Sequence, residues 1–180
     1  MIERNTDLVK EILKREKNIN IAVDMTAGNG YDSKFILNEL GPNKLIAFDI
    51  QDQARKSTES LLKDKANFEF ILDSHENIDQ YIKEEVDLVV YNLGYLPKGD
   101  KTITTKWKST INSLKKAMDL LSKKGKIILT VYPGHPEGKK ESEELDKFLA
   151  DIDSKEFTVL ELSYKNKANN PPYICVIGRK

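Results

Sequence analysis

The residues best suited to chemistry in this 180-residue chain stand where short β-branched runs end. The run at 19–24 (INIAVD) leads into Asp24-Met25-Thr26-Ala27-Gly28-Asn29-Gly30. Two glycines between a strand and a helix let the backbone approach a ligand closely. A tight turn with no ligand is the bland alternative. Ser33 stands where the dinucleotide fingerprint wants a third small residue, so that match is weak, and no G-K-[ST] follows, which excludes a phosphate loop. Asp49 ends a second run (KLIAFD) and is placed to accept hydrogen bonds from ribose hydroxyls. Such an acid suits NAD as well as an adenosine-containing methyl donor.

Later strand ends discriminate between these. Asp73-Ser74-His75 ends a third run, where a carboxylate or amide could hold an adenine amine. Tyr91-Asn92-Leu93-Gly94-Tyr95-Leu96-Pro97 ends a fourth. An Asn there accepts hydrogen bonds from an incoming amine through its side-chain oxygen and so aligns the nitrogen lone pair. Tyr95 can pack over the reacting group. This is the logic of the (D/N)-P-P-Y motif of amino methyltransferases, with Leu93 and Gly94 in place of the prolines. A literal Asn170-Pro171-Pro172-Tyr173 also occurs, between the last two runs, where a stiff turn competes with a substrate-side role.

The elements that position these residues alternate. Helical periodicity is expected over 5–17, 31–40, 52–63, 77–83, 107–121 and 142–150. Strands are expected over 19–24, 44–49, 68–72, 86–92 and 126–131. Two closing strands, 157–164 and 173–178, have no helix between them and read as an antiparallel hairpin. The expectation is one α/β domain over 1–180: a doubly wound, Rossmann-like sheet of six or seven strands with a C-terminal hairpin.

Composition narrows the class. Lys plus Arg and Asp plus Glu both total 29, so net charge is zero and a bulk polycation is excluded, though a basic patch is not. Lysine supplies 25 of the basic residues and arginine 4, which disfavours an interface of bidentate arginine forks. One cysteine, Cys175, rules out a disulfide framework. No apolar run approaches the ~18 residues of a membrane span, and Ile2-Glu3-Arg4-Asn5 does not read as a signal peptide. A cytoplasmic protein without membrane partners is expected, and a homodimer is compatible with the sequence.

The series DMTAGNGYDS (24–33), FDIQ (48–51), DSHE (73–76), NLGYLPKGDK (92–101) and YPGHPEGKKE (132–141) resembles one family of class I S-adenosylmethionine (SAM)-dependent methyltransferases, the YtqB-like or MnmM family long labelled rRNA methylases. The resemblance runs from Asp24 to Pro172; its specific pieces are NLGYLP-x-GDK and Y-x-GH-x-x-G-x-x-E. It implies SAM as donor, a seven-stranded class I sheet, and methylation of the aminomethyl nitrogen of 5-aminomethyl-2-thiouridine at the tRNA wobble position. Asp24-Met25-Thr26-Ala27 departs slightly from the family's Asp-Ala-Thr.

In that frame Asp24, Thr26, Gly28, Asn29, Gly30, Asp49, Gln51, Asp73, Ser74, His75, Asn92 and Leu93 form the cofactor site. Asn92 orients the amine and Tyr95 packs over it, while Asp100 and His135 are the candidate proton acceptors. Lys98, Lys101, Tyr132 and Asn170 are the substrate-binding candidates. Lys98, Lys101, Lys106, Lys108, Lys139, Lys140, Lys165 and Lys167 follow strand ends, while acids crowd 137–156, so a basic cleft face for tRNA is expected. No metal is expected: the two histidines lack ligand spacing. An rRNA or small-amine methyltransferase, or a non-catalytic RNA-binding module with a relict SAM fold, are the competing readings.

Overall fold

Seven apolar runs pair into one sheet ordered β3-β2-β1-β4-β5-β7-β6. In the computed structural model, which describes residues 4–94 and 104–180, the strands are β1 Ile21–Asp24, β2 Lys44–Asp49, β3 Phe68–Leu72, β4 Val86–Asn92, β5 Leu121–Val131, β6 Phe157–Leu162 and β7 Tyr173–Arg179. β1 to β5 are mutually parallel, and β7 lies antiparallel between β5 and β6. The doubly wound sheet and its closing hairpin are those expected from the alternation of runs, and the strand count is seven.

The helices are α1 Asn5–Leu13, α2 Tyr31–Phe35 (continued by a π-helical turn over Ile36–Leu40), α3 Asp52–Leu62, α4 Ile78–Tyr81, α5 Trp107–Leu120 and α6 Pro136–Ala150. Successive strand residues face opposite ways, so each strand feeds two cores. Val23, Phe48, Val89, Ile127 and Leu129 pack with Leu114, Ala117, Leu145 and Leu149 of α5 and α6. Ala22, Leu45, Leu88, Val90 and Ile128 pack with Val9, Leu13, Ile36, Leu37 and Leu62 on the other side. Among the described residues no helix is long and apolar enough to cross a membrane.

Three boundaries differ from expectation by more than two residues. α1 stops at Leu13 rather than 17, and Asn18 takes a left-handed φ of 57° just before β1. Leu121, expected in a helix, already pairs with Val86, whereas Lys126 pairs with Leu88. The intervening residues bulge through Lys124 at φ 72°. α6 begins at Pro136, six residues before the expected 142. Proline suits the first helical turn, where its missing N–H has no partner to lose.

Candidate active site

β1 is flanked by β2 and β4, so chain direction diverges there and opens a crevice beyond the strand ends. Into it projects the turn after β1. Asp24, 1% exposed, shapes that turn from beneath: Oδ1 accepts the Thr26 amide at 3.1 Å and Oδ2 the Ser33 hydroxyl at 2.6 Å. Gly28 (φ 54°) and Gly30 (φ 79°) occupy left-handed backbone, and Gly30 caps α2. A Cβ at Gly30 would lie 2.9 Å from Thr58 Oγ1, whose hydroxyl also donates to the Gly28 carbonyl at 3.1 Å. Glycine is therefore required there by both φ and contact.

Asp49 ties β2 to this turn. Oδ2 accepts the Gly28 amide at 3.0 Å and Oδ1 the Gln51 amide at 2.9 Å. Each carboxylate oxygen keeps a further acceptor direction for a ribose hydroxyl. Asn29 and Gln51 are half-buried beside it. Ile50 is 60% exposed and Leu72 43%, so aliphatic surface stands open at the adjoining strand ends. A polar acceptor beside open apolar surface fits an adenosine group.

Asn92 closes the other side. Its amide donates to Thr26 Oγ1 at 2.7 Å, and Leu93 behind it is buried. The Asn92 Nδ2 donates to Asp32 Oδ2 at 3.2 Å. Burial raises the Asp32 carboxyl pKa. Asp24 is pushed up to about 7 by its burial first and by the nearby Asp32 charge second. Burial likewise raises Asp49. Three carboxyls converging on one crevice make it receptive to cationic ligands.

The remaining predicted residues divide. Asp73 is committed to Tyr81 (2.8 Å), Asn77 and the Ser74 amide, which hold its carboxyl below the usual range. Ser74 caps the 3-10 turn His75–Asn77. His75 stands edge-on to Tyr91, with ring centroids 5.9 Å apart, and its Nδ1 is sealed from solvent with no hydrogen-bond partner among the described residues. Burial lowers its pKa to about 4, so it is neutral at physiological pH. His135 caps α6: its Nδ1 accepts the Gly138 amide at 3.1 Å. A Cβ at Gly138 would meet the Tyr132 carbonyl at 2.1 Å, which explains the glycine. Tyr132 is half-buried, and burial, then Asp32, raise its pKa.

Asn170 is exposed at φ 48° and lines a groove with Pro133, Lys139, Tyr164 and Pro171. Tyr173 of the literal motif points inward, donating to Asp146 at 2.9 Å and lying 3.0 Å from the Ser142 hydroxyl. Its role is to fasten the hairpin to α6. Tyr95, Lys98, Asp100 and Lys101 lie outside the described residues. Of the other lysines, Lys139 faces Glu143 at 4.0 Å and Lys167 lies over the Tyr164 ring at 3.8 Å. Among the described residues no group of three or more His, Cys, Asp and Glu could hold a metal ion.

Sequence reasoning missed Asp32 and Glu141. Glu141 is 2% exposed and accepts from Thr110 at 2.7 Å and Thr105 at 2.8 Å. Both acids stood within the quoted motif segments, but without an assigned partner.

A seven-stranded sheet in this order, with a glycine turn after β1 and an acid ending β2, defines a class I methyltransferase fold. The family model described as "Putative rRNA methylase" matches residues 45–178, and the chain belongs to that family. It is 31% identical over 172 residues to the chloroplastic tRNA (mnm(5)s(2)U34)-methyltransferase of Arabidopsis thaliana, covering 88% of this chain and 63% of that protein's length. Its fold matches a "putative rRNA-methylase" from Clostridium thermocellum, with TM-score 0.96 and 36% identity over 100% of both chains. It also matches a "putative methyltransferase" from Streptococcus mutans in complex with SAH, with TM-score 0.90 and 33% identity over 100% of both chains.

Proposed function

We propose that this chain is a SAM-dependent N-methyltransferase that modifies the aminomethyl nitrogen of 5-aminomethyl-2-thiouridine at the tRNA wobble position. The observation that carries the reading is the 2.7 Å hydrogen bond from the Asn92 amide to Thr26 Oγ1. It seats an amine-orienting side chain directly on the glycine turn that would hold the donor. The likeness to a tRNA wobble-uridine methyltransferase and to a chain in complex with SAH supports the choice of substrate and cofactor.

Gly28, Asn29 and Gly30 bind the amino-acid end of the cofactor, with Asp24 holding the turn beneath it. Asp49 and Gln51 take the ribose, and the Ile50 and Leu72 side chains give the base an apolar bed. SAM supplies an electrophilic methyl on a sulfonium. An alkyl amine is protonated at neutral pH, so a proton must leave before its lone pair is usable. Asn92 Oδ1 then accepts one remaining N–H and aims the lone pair. His135 and Asp100 are the proposed proton acceptors; His135 Nδ1 is engaged in capping α6, so taking a proton there would cost that cap. Lysines after the strand ends, Lys98 and Lys101 first among them, meet the phosphate backbone, with Tyr132 and Asn170 on the substrate side.

Calorimetric titration with S-adenosylhomocysteine and, separately, NADH tests the cofactor assignment. Binding of the first and not the second is expected. NADH binding without S-adenosylhomocysteine binding would overturn it.

A further inference from the structure

Asp32 sits in the first turn of α2, two residues beyond Gly30, and its Oδ2 accepts the Asn92 Nδ2 at 3.2 Å. A carboxamide has a donor end and an acceptor end of nearly equal shape, so packing alone does not choose between its two orientations. A neighbouring carboxylate does choose. The NH2 end facing Asp32 gains a charge-assisted hydrogen bond, whereas the flipped side chain would set two oxygens against each other. The Asn92 backbone is fixed independently by Thr26 Oγ1. With main chain and Nδ2 both pinned, Oδ1 is the end presented to the crevice.

The orientation matters to an amine. Facing Oδ1, the nitrogen donates an N–H and keeps its lone pair. Facing Nδ2, the same nitrogen would accept a hydrogen bond through that lone pair and lose its nucleophilicity.

We infer that Asp32 is a positioning residue that acts through Asn92, locking the carboxamide with its oxygen toward the substrate amine. The inference rests on the N-methyltransferase reading for its consequence, but not for the contact itself. Asp32→Asn keeps the shape and removes the bias, because an amide at 32 pairs with either end of Asn92.

Two measurements test it. In single turnover, Asp32→Asn should lower the methylation rate about 10- to 100-fold, the scale of misorienting a reacting group, with S-adenosylhomocysteine affinity within about twofold of wild type. In an Asn92→Ala background the same substitution should cost nothing further, the signature of a coupled pair. Multiplying rate losses, or a matching loss of S-adenosylhomocysteine affinity, would overturn the inference. The second measurement needs no turnover. The Asn92 carboxamide protons, identified in a 15N-labelled sample by their loss in Asn92→Ala, should shift in Asp32→Asn. If they stay in place, the contact is refuted, whatever substrate the protein acts on. A wild type that binds S-adenosylhomocysteine but leaves tRNA unmethylated would instead count against the function, leaving the shift to decide the contact.

Discussion

The Thr105 hydroxyl donates to Glu141 Oε2 at 2.8 Å while accepting the Gly94 amide at 2.8 Å. The Thr105 amide returns a bond to the Gly94 carbonyl at 2.9 Å. The end of the β4 segment carrying Asn92 is thus anchored to α6 through a single buried acid, which also holds Thr110 at the start of α5.

Removing that acid strands two hydroxyls. Glu141→Ala should lower folding stability by about 1–3 kcal/mol, the cost of leaving buried polar groups unpaired. Glu141→Gln, which keeps one acceptor, should cost less. Urea unfolding followed by circular dichroism measures both; equal stability of wild type and Glu141→Ala would show that the network contributes nothing.

Asp49 accepts the Gly28 amide and is the proposed ribose acceptor. Asp49→Ala should therefore weaken S-adenosylhomocysteine binding by about 1–3 kcal/mol. Calorimetry reads this directly, and an unchanged affinity would remove Asp49 from the cofactor site.

Four carboxyls raised by burial, Asp24, Asp32, Asp49 and Glu141, set a pH dependence. A folded-state pKa of about 7 at Asp24 exceeds the unfolded value of about 3.9. The native state therefore keeps a proton that the unfolded chain has lost. The contribution of Asp24 to stability should be fully present below about pH 4, decline as pH rises toward 7, and be lost above it. Asp24→Asn should flatten that slope in melting temperatures recorded across the range. Asp32, Asp49 and Glu141 shift the same way, so part of the slope should persist. An identical slope in Asp24→Asn would show that Asp24 titrates normally in the folded protein.

The sheet was legible because its strands are apolar runs, and β1, β2 and β4 close on the polar residues Asp24, Asp49 and Asn92, the candidate site residues. Helix starts were less so. Pro133-Gly134-His135-Pro136 reads as loop, and only the His135 cap and the first-turn proline reveal a helix there. Asp32 and Glu141 were illegible for a different reason. Asp32 meets Asn92 across 60 residues and Glu141 meets Thr110 across 31, so although both fall within motif segments, their local sequence does not show what they bond. The place of His75 beyond a strand end points to the cofactor pocket, while its edge-on packing against Tyr91, 16 residues away, is set by the fold.

The central claim is methyl transfer to the wobble-uridine amine, and nucleoside mass analysis tests it most directly. tRNA from cells lacking this protein is incubated with the protein and SAM, with rRNA as a parallel substrate, then digested. The account predicts that 5-aminomethyl-2-thiouridine gains one methyl group, that Asn92→Ala gains it far more slowly while still binding S-adenosylhomocysteine, and that rRNA is unchanged. Unconverted 5-aminomethyl-2-thiouridine in the presence of protein that binds the cofactor, or methyl incorporation into rRNA alone, would contradict it.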